Sequence, residues 1–479
     1  MNTAAETSLI SSFEQAEQGQ VFRYFAELSD DSKAKLIAQA ETIDLAEING
    51  LVEEHIKGEH HSGVSLDGLE PAPFVPLPGN GGDAAQWAAA TEAGEAAIRA
   101  GRVAAFCVAG GQGTRLGYDG PKGTYPVTPL TQKTLFQVFA EKIGRSSARY
   151  GTTIHWFILT SEINNAATVA AFEESDYFGL PKDSVHFIVQ GLIAAVDNDG
   201  KILLSDKDLV ARTPDGHGGS LRALVRSGAV AKMEELGVDC VSYFQVDNPL
   251  IRIIDPAFIG FHVQGQSELS SKMIPKAYPL EKVGHFCEQN GRNVVVEYSD
   301  MPNEMQEETN EDGSLRFIAG SVAIHVFDRD FIARAGGDSA DVQLPFHRAD
   351  KKIPFVDADG SVVKPEAANG VKFEMFVFDA LPLAKNPVII ESAREDDFSP
   401  VKNAEGVDSP QSCADDQLRM FARWMKAAGE TIETDESGLP SIKFEISHTF
   451  AADEADFIAQ WGALETKPKI AEGLIVGEG

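Results

Sequence analysis

Val103-Ala104-Ala105-Phe106-Cys107-Val108-Ala109-Gly110-Gly111-Gln112-Gly113-Thr114-Arg115-Leu116-Gly117, with Pro121-Lys122-Gly123 close behind, is the stretch from which the rest of the chain is read. Residues 103–109 are small or apolar and predict a strand buried on both faces. Gly110, Gly111 and Gly113 then follow, a density that neither strand nor helix favours. A loop without Cβ atoms can curl around an anion and turn its backbone N–H groups inward. Arg115 and Lys122 add full positive charges nearby. The combination points to a polyphosphate, with a tight surface turn as the plain alternative.

Two common phosphate motifs are excluded by spacing. A dinucleotide fingerprint needs G-x-G-x-x-G, but Leu116 stands where the third glycine belongs after Gly111 and Gly113. The Walker pattern fails too, because Lys122 lacks a preceding glycine and a following Ser or Thr.

The chain has 479 residues, enough for two or three domains, and 43% apolar with 24% charged residues is ordinary for a globular protein. A net charge of −32 argues against nucleic acid or an acidic membrane as partner. It also means that a triphosphate pocket must be made locally positive against the protein's own field. No apolar run approaches the roughly 20 residues of a membrane span. The start Met1-Asn2-Thr3-Ala4-Ala5-Glu6 shows no signal-peptide pattern. Cys107, Cys240, Cys287 and Cys413 lie far apart, predicting reduced, buried thiols and a cytoplasmic location.

Residues 8 to about 58 are expected to be helical, with Val21, Tyr24, Phe25 and Leu28, then Leu36, Ile37 and Ala40, then Ile48, Leu51, Val52 and Ile56 on apolar faces. His60 and His61 fall in a polar linker, and Pro71 to Gly82 reads as a boundary. Beyond it strands and helices alternate, which predicts a mostly parallel twisted sheet with covered faces. Expected strands are 154–160, 185–190 and 240–246. A helix is expected from Thr134, another through 169–172, and a single one over 223–236. From Pro400 the chain becomes a smaller unit, with a helix over 418–428 and a strand over 442–449. The division expected is a helical part at 1–75, a catalytic domain at 76–395 and a small C-terminal domain at 396–479.

Ligands of such sheets gather at the carboxyl ends of strands. Asp247, in Phe244-Gln245-Val246-Asp247-Asn248-Pro249, stands where a buried strand emerges, so it either anchors Mg²⁺ (or Mn²⁺) or caps the turn. Thr213-Pro214-Asp215-Gly216-His217-Gly218-Gly219 is a second glycine-rich turn. Close backbone approach there suits a flat base held edge-on, or simply a helix start.

The longer string GGQGTRLG…PKG resembles the nucleotide-binding signature of the UDP-sugar pyrophosphorylases, above all the eukaryotic UDP-N-acetylglucosamine type. The resemblance runs from about residue 85 to 405. It implies an α/β nucleotidyltransferase domain, Rossmann-like, flanked by smaller parts. It implies that Ala109, Gly110, Gly111, Gly113 and Thr114 hold the nucleotide phosphates, and that Gln190, Gly216 and His217 hold the uridine. Gly284, Glu297 and Ser321 are implied as sugar contacts, and Lys402 as the group that orients the incoming phosphate. Two departures bear on the sugar. His217 stands where acetylglucosamine relatives usually carry Asn, and Phe317-Ile318-Ala319-Gly320-Ser321 replaces both asparagines of their Asn-Ala-Gly-Asn.

The implied reaction joins UTP and a sugar 1-phosphate into UDP-sugar and pyrophosphate. Its nucleophile is already anionic, so no general base is needed; positioning and charge stabilisation are the catalytic task. Lys122 and a metal on Asp247 would act at the α-phosphate, with Arg115 on the leaving groups. N-acetylglucosamine 1-phosphate is the expected substrate, with glucose, galactose or a broad range as the alternative. A non-catalytic UDP-sugar sensor is the rival from another class; a nicotinamide oxidoreductase is disfavoured by the glycine spacing. No nucleic-acid or membrane partner is expected, and the chain is expected to be a monomer or weak homo-oligomer.

Overall fold

The computed structural model describes residues 3–58, 66–337 and 342–477. His60 and His61 lie outside the described residues. The chain divides into two compact units, each assembled from three separate stretches. The first comprises the described part of Met1–Val64 with Gln190–Ser220 and Leu344–Val377. The second comprises the described parts of Ser65–Val189, Leu221–Gln343 and Phe378–Gly479. The N-terminal helices therefore group with two excursions of the middle of the chain, and the C-terminal segment groups with the large sheet.

The first unit has the helices Thr3–Gln15, Asp30–Ala40 and Leu45–Val52, and the last two begin at defined caps. Ser29 accepts the Ser32 N–H, and Asp44 accepts those of Ala46 and Glu47. Between them Val21 and Phe25 lie in short 3₁₀ turns rather than a continued helix, after Glu17 adopts a positive φ of 59°. Leu36, Ile37, Ile48, Leu51 and Val52 pack with Ile193, Val196, Val371 and Phe373 into this unit's core. Its three-stranded sheet places Gly370–Met375 between Phe346–Lys351 and Val196–Asp197.

The second unit is built on a ten-stranded sheet. Its strands are β1 (Glu70–Pro71), β2 (Val103–Val108), β3 (His155–Thr160), β4 (Val185–Val189) and β5 (Cys240–Gln245). They continue with β6 (Leu269–Pro275), β7 (Gly284–Gln289), β8 (Arg292–Val296), β9 (Ala319–Asp328) and β10 (Val388–Glu391). β5, β2, β3 and β4 are consecutive and parallel. β2 is the predicted buried strand, with Val103 to Cys107 at 1% exposure or less. The remainder is largely antiparallel: β9 pairs β5, β6 and β7, and β7 pairs β8 and β1. β6 and β10 pair in parallel on that side. The sheet is thus mixed. A register shift opposite Ser271 and Met273, with Ala323 at φ 55°, bends β9 so that one part pairs β5 and the other β7.

The helix Leu135–Tyr150 is capped by Thr134, whose hydroxyl accepts the Gln137 N–H, and it buries Leu135, Phe136, Val138, Phe139 and Ile143. The single helix expected over 223–236 is two, Gly219–Arg226 and Ala229–Glu235, separated at Gly228 with φ 80°. Only Glu445–Ile446 of the expected strand 442–449 is extended and paired. There the buried Glu445 carboxylate is committed to the N–H groups of Leu130 and Thr131, at 2.9 and 3.0 Å.

Candidate active site

β2 and β5 run parallel with Val108 opposite Gln245, so the two chains leave the sheet side by side. The Val246 N–H still donates to the Val108 carbonyl, at 3.1 Å. The next residues are Asp247 on one chain and the glycine loop on the other. Lys122 returns from the far side of that loop and places Nζ 3.3 Å from Asp247 Oδ2. Both side chains are more than four-fifths buried, at 17% and 14% exposure. The sequence placed these two residues at one sheet rim, and the structure joins them.

The rim is braced from below. Lys142, buried on the helix Leu135–Tyr150, donates to the carbonyls of Pro249, Leu250 and Ile251 at 2.6, 3.1 and 2.9 Å. Three successive carbonyls on one ammonium fix the course of the chain just after Asp247.

Lys402 reaches this rim through backbone docking. The Val401 N–H donates to the Asp247 carbonyl at 2.8 Å. Asn248 holds the same segment with both ends of its amide: Nδ2 donates to the Asp397 carbonyl at 2.6 Å, and Oδ1 accepts the Ser399 N–H at 3.0 Å. Beneath lies a buried ion cluster. Lys272 Nζ is 2.8 Å from Asp397 Oδ2 and 2.7 Å from Asp255 Oδ2, and Arg252 Nη2 is 2.8 Å from Asp397 Oδ2. Burial pushes the Asp397 carboxyl up, but Arg252 and Lys272 outweigh it and hold it well below the usual range.

Asp408 was not singled out by the sequence, where Asp408-Ser409-Pro410 signals only a helix start. Its carbonyl accepts the N–H groups of Lys402 and Asn403 at 2.7 and 3.0 Å, closing a loop. Its carboxylate lies 3.9 Å from Lys402 Nζ. Burial raises this carboxyl, Lys402 opposes the rise, and Asp247 and Glu281 add to it. Charges of both signs therefore converge around the loop that carries Lys402. Arg115 is exposed in a 3₁₀ turn, Thr114–Leu116, and among the described residues pairs with no carboxylate.

The three expected sugar contacts share one face of the antiparallel strands. Gly284 on β7 is directly opposite Ser321 on β9. His285 is opposite Val296, so Glu297, one residue on, falls beside Gly284. A Cβ on Gly284 would sit 3.2 Å from Glu297 Oε1 and 3.6 Å from Ser321 Cβ. The reverse face is sealed by buried His285, whose Nε2 lies 2.8 Å from Lys276 Nζ.

In the first unit, Leu192–Ala194 pairs with Arg212–Pro214, which sets Gln190-Gly191 and Asp215-Gly216 at one end of the same ladder. The turn is laid on the strand Gly370–Met375: Met375 N–H donates to Asp215, and Gly218 N–H to Met375, both at 2.8 Å. Gly216 has φ 84°, and a Cβ there would meet the Met375 carbonyl oxygen at 2.3 Å, so only glycine fits. His217 lies against Phe376, ring centroids 5.4 Å apart, with Nδ1 accepting the Val377 N–H at 3.0 Å. His347 stacks on Phe376 as well, at 4.6 Å. The result is flat aromatic rings beside half-buried backbone, suited to a planar base.

Residues 85–424 match the UTP–glucose-1-phosphate uridylyltransferase family. The chain is 38% identical over 448 residues to UDP-N-acetylhexosamine pyrophosphorylase-like protein 1 of Xenopus tropicalis, covering 89% of this chain and 86% of the relative. It is 34% identical over 440 residues to UDP-N-acetylglucosamine pyrophosphorylase of Saccharomyces cerevisiae, covering 88% and 91%. Among solved structures it is similar to the UDP-N-acetylglucosamine pyrophosphorylase of Trypanosoma brucei in complex with an inhibitor. That match has a TM-score of 0.81 at 26% identity, over 99% of this chain and 98% of the other.

Proposed function

We propose that this chain, which belongs to the UTP–glucose-1-phosphate uridylyltransferase family, transfers uridylyl from UTP to N-acetylglucosamine 1-phosphate and releases pyrophosphate. The observation that carries the reading is the Lys122–Asp247 pair at 3.3 Å on the rim beside the glycine loop. The name of the Saccharomyces cerevisiae relative at 34% identity supports N-acetylglucosamine, and that of the Xenopus tropicalis relative at 38% the wider class of N-acetylhexosamines.

The roles follow from charge. Joining two phosphates means bringing two anions together and stabilising charge that builds at the α-phosphorus. Lys122 is assigned to that phosphorus and its in-line transition state. Arg115, which among the described residues pairs with no carboxylate, and the loop Ala109–Thr114 take the groups that leave as pyrophosphate. Lys402 orients the incoming phosphate, Gly284, Glu297 and Ser321 the sugar, and Gln190, Gly216 and His217 the uridine.

Asp247 fits a Mg²⁺ or Mn²⁺ ion. Its Oδ2 faces Lys122, and among the described residues Oδ1 accepts no hydrogen bond. No cluster of three metal-ligating side chains exists among the described residues, so such an ion would take most of its ligands from phosphate oxygens and water. When bound, it supplies positive charge at the phosphates. Among the described residues no helix is long and apolar enough to cross a membrane. The four cysteines are free and buried, which supports a reducing, cytoplasmic setting.

A pyrophosphorolysis assay with a panel of UDP-sugars, with and without EDTA, tests the reading. UDP-N-acetylglucosamine should be the preferred substrate and EDTA should abolish turnover. Preference for UDP-glucose would overturn the sugar, full activity in EDTA the metal role of Asp247, and binding of UDP-sugars without pyrophosphate exchange the enzyme itself.

A further inference from the structure

The glycine loop is held from behind by Asn164, a fully buried residue that follows β3. Its Nδ2 donates to the Ala109 carbonyl at 2.9 Å and to the Gly111 carbonyl at 3.2 Å. Its Oδ1 accepts the Ser161 N–H at 2.8 Å. Asn164 precedes the helix Asn165–Glu174, yet its side chain caps none of that helix's N–H groups. Its acceptor goes to Ser161 instead, and both of its donor hydrogens are spent on the loop. The Gly111 carbonyl also accepts the Lys122 N–H at 3.1 Å, so this one oxygen ties the loop both to Asn164 and to the segment bearing Lys122.

The consequence follows from peptide geometry. In a trans peptide the carbonyl of one residue and the N–H of the next point in opposite directions. Turning the Ala109 and Gly111 carbonyls inward onto Asn164 therefore turns the Gly110 and Gln112 N–H groups outward. Among the described residues the N–H groups of Gly110, Gly111, Gln112, Thr114 and Arg115 donate to no protein acceptor. Acceptors pinned on one side and donors left open on the other make an anion cradle.

We propose that Asn164 is a positioning residue for polyphosphate binding: it touches no substrate but aims the Gly110 and Gln112 N–H groups at the β- and γ-phosphates of UTP, or at pyrophosphate in the reverse direction. This rests on the uridylyltransferase reading. The Asn164→Asp variant keeps the size and the acceptor but removes both donors; Asn164→Ala removes the side chain. KM values for UTP, pyrophosphate and sugar 1-phosphate, thermal midpoints, and calorimetric binding of pyrophosphate alone are to be measured for the parent and both variants. The expected result is a rise of about tenfold in KM for UTP and pyrophosphate, with KM for sugar 1-phosphate changed by less than about twofold. Equal rises for all substrates, or an unchanged KM for UTP in a folded variant, would overturn the proposal. Loss of the fold in both variants would assign Asn164 to the core and overturn it as well. If the parent transfers no uridylyl group, the reading of function fails. Pyrophosphate binding then still decides the clamp: weakening in a folded variant supports it, and equal binding overturns it.

Discussion

Along β2 and β5 the candidate functional groups lie beyond the last strand residue, whereas along β7, β8 and β9 they lie on or directly beside the strands. Lys122, Asp247 and Lys402 come from loops, and each is a charge whose position no strand pairing sets. Two of them are braced by something buried: Lys142 under the turn after Asp247, and Asp397 with Lys272 and Arg252 under the segment of Lys402. Gly284, Ser321 and Glu297 need no such bracing, because the pairing of neighbouring strands already puts them on one face. The phosphate end therefore depends on electrostatics and the sugar end on register and space. The two should fail in different ways.

The largest effect is expected from the bracing. Lys272→Met leaves Asp397 and Asp255 buried with Arg252 as their remaining cation, and loss of one member of a buried ion cluster costs about 3–5 kcal/mol. Urea unfolding measures it, and a loss below about 1 kcal/mol would mean that the cluster does not support the rim.

Acid should strike next, through buried histidines. Burial lowers His262, on the helix Pro256–Gln264 with Nδ1 2.9 Å from Ser270 Oγ of β6, to about 4, and burial together with Lys276 lowers His285 to about 4. Both values lie below the ordinary histidine value. Their contribution to stability is thus complete above about pH 6.5 and is lost as pH falls toward 4. At pH 5 the loss is about 2 kcal/mol for each, read as the difference between urea unfolding at about pH 7.5 and at pH 5. Equal stability at the two pH values would show that neither imidazole is kept neutral.

The smallest effect is the most selective. Gly284→Ala would place a Cβ 2.7 Å from Val295 Cγ1 and 3.2 Å from Glu297 Oε1. It should raise KM for the sugar 1-phosphate by about tenfold, leaving KM for UTP nearly unchanged. A parallel rise in both would erase the distinction between the two ends.

How much of this was legible in the sequence also differs between the ends. The buried strand, the glycine loop, Lys122 and the strand-end Asp247 follow from local chemistry, since a run of apolar residues ending in glycines and charge has few other uses. Lys402 was locally a surface lysine beside Pro400. What brings it in is a set of hydrogen bonds from Asp247 and Asn248 to residues about 150 positions away, which no local pattern reveals. Asn164 and Asp408 were invisible for the same reason: an asparagine before a helix and an aspartate before Ser-Pro both look like caps. The sugar face was readable only through family resemblance, because one Glu and one Ser at strand positions carry no chemistry until the register is known. The break at Gly228 and the bend at Ala323 depend on left-handed backbone at single residues, which periodicity does not encode.

The pairing of Lys122 with Asp247 is tested most directly by single-turnover uridylyl transfer in Lys122→Ala, with UTP and N-acetylglucosamine 1-phosphate both saturating. Removal of one preorganised charge at the α-phosphate predicts a rate lower by about 100-fold or more. A rate within about threefold of the parent would contradict it, because so small a change is below what any transition-state contact of this kind supplies.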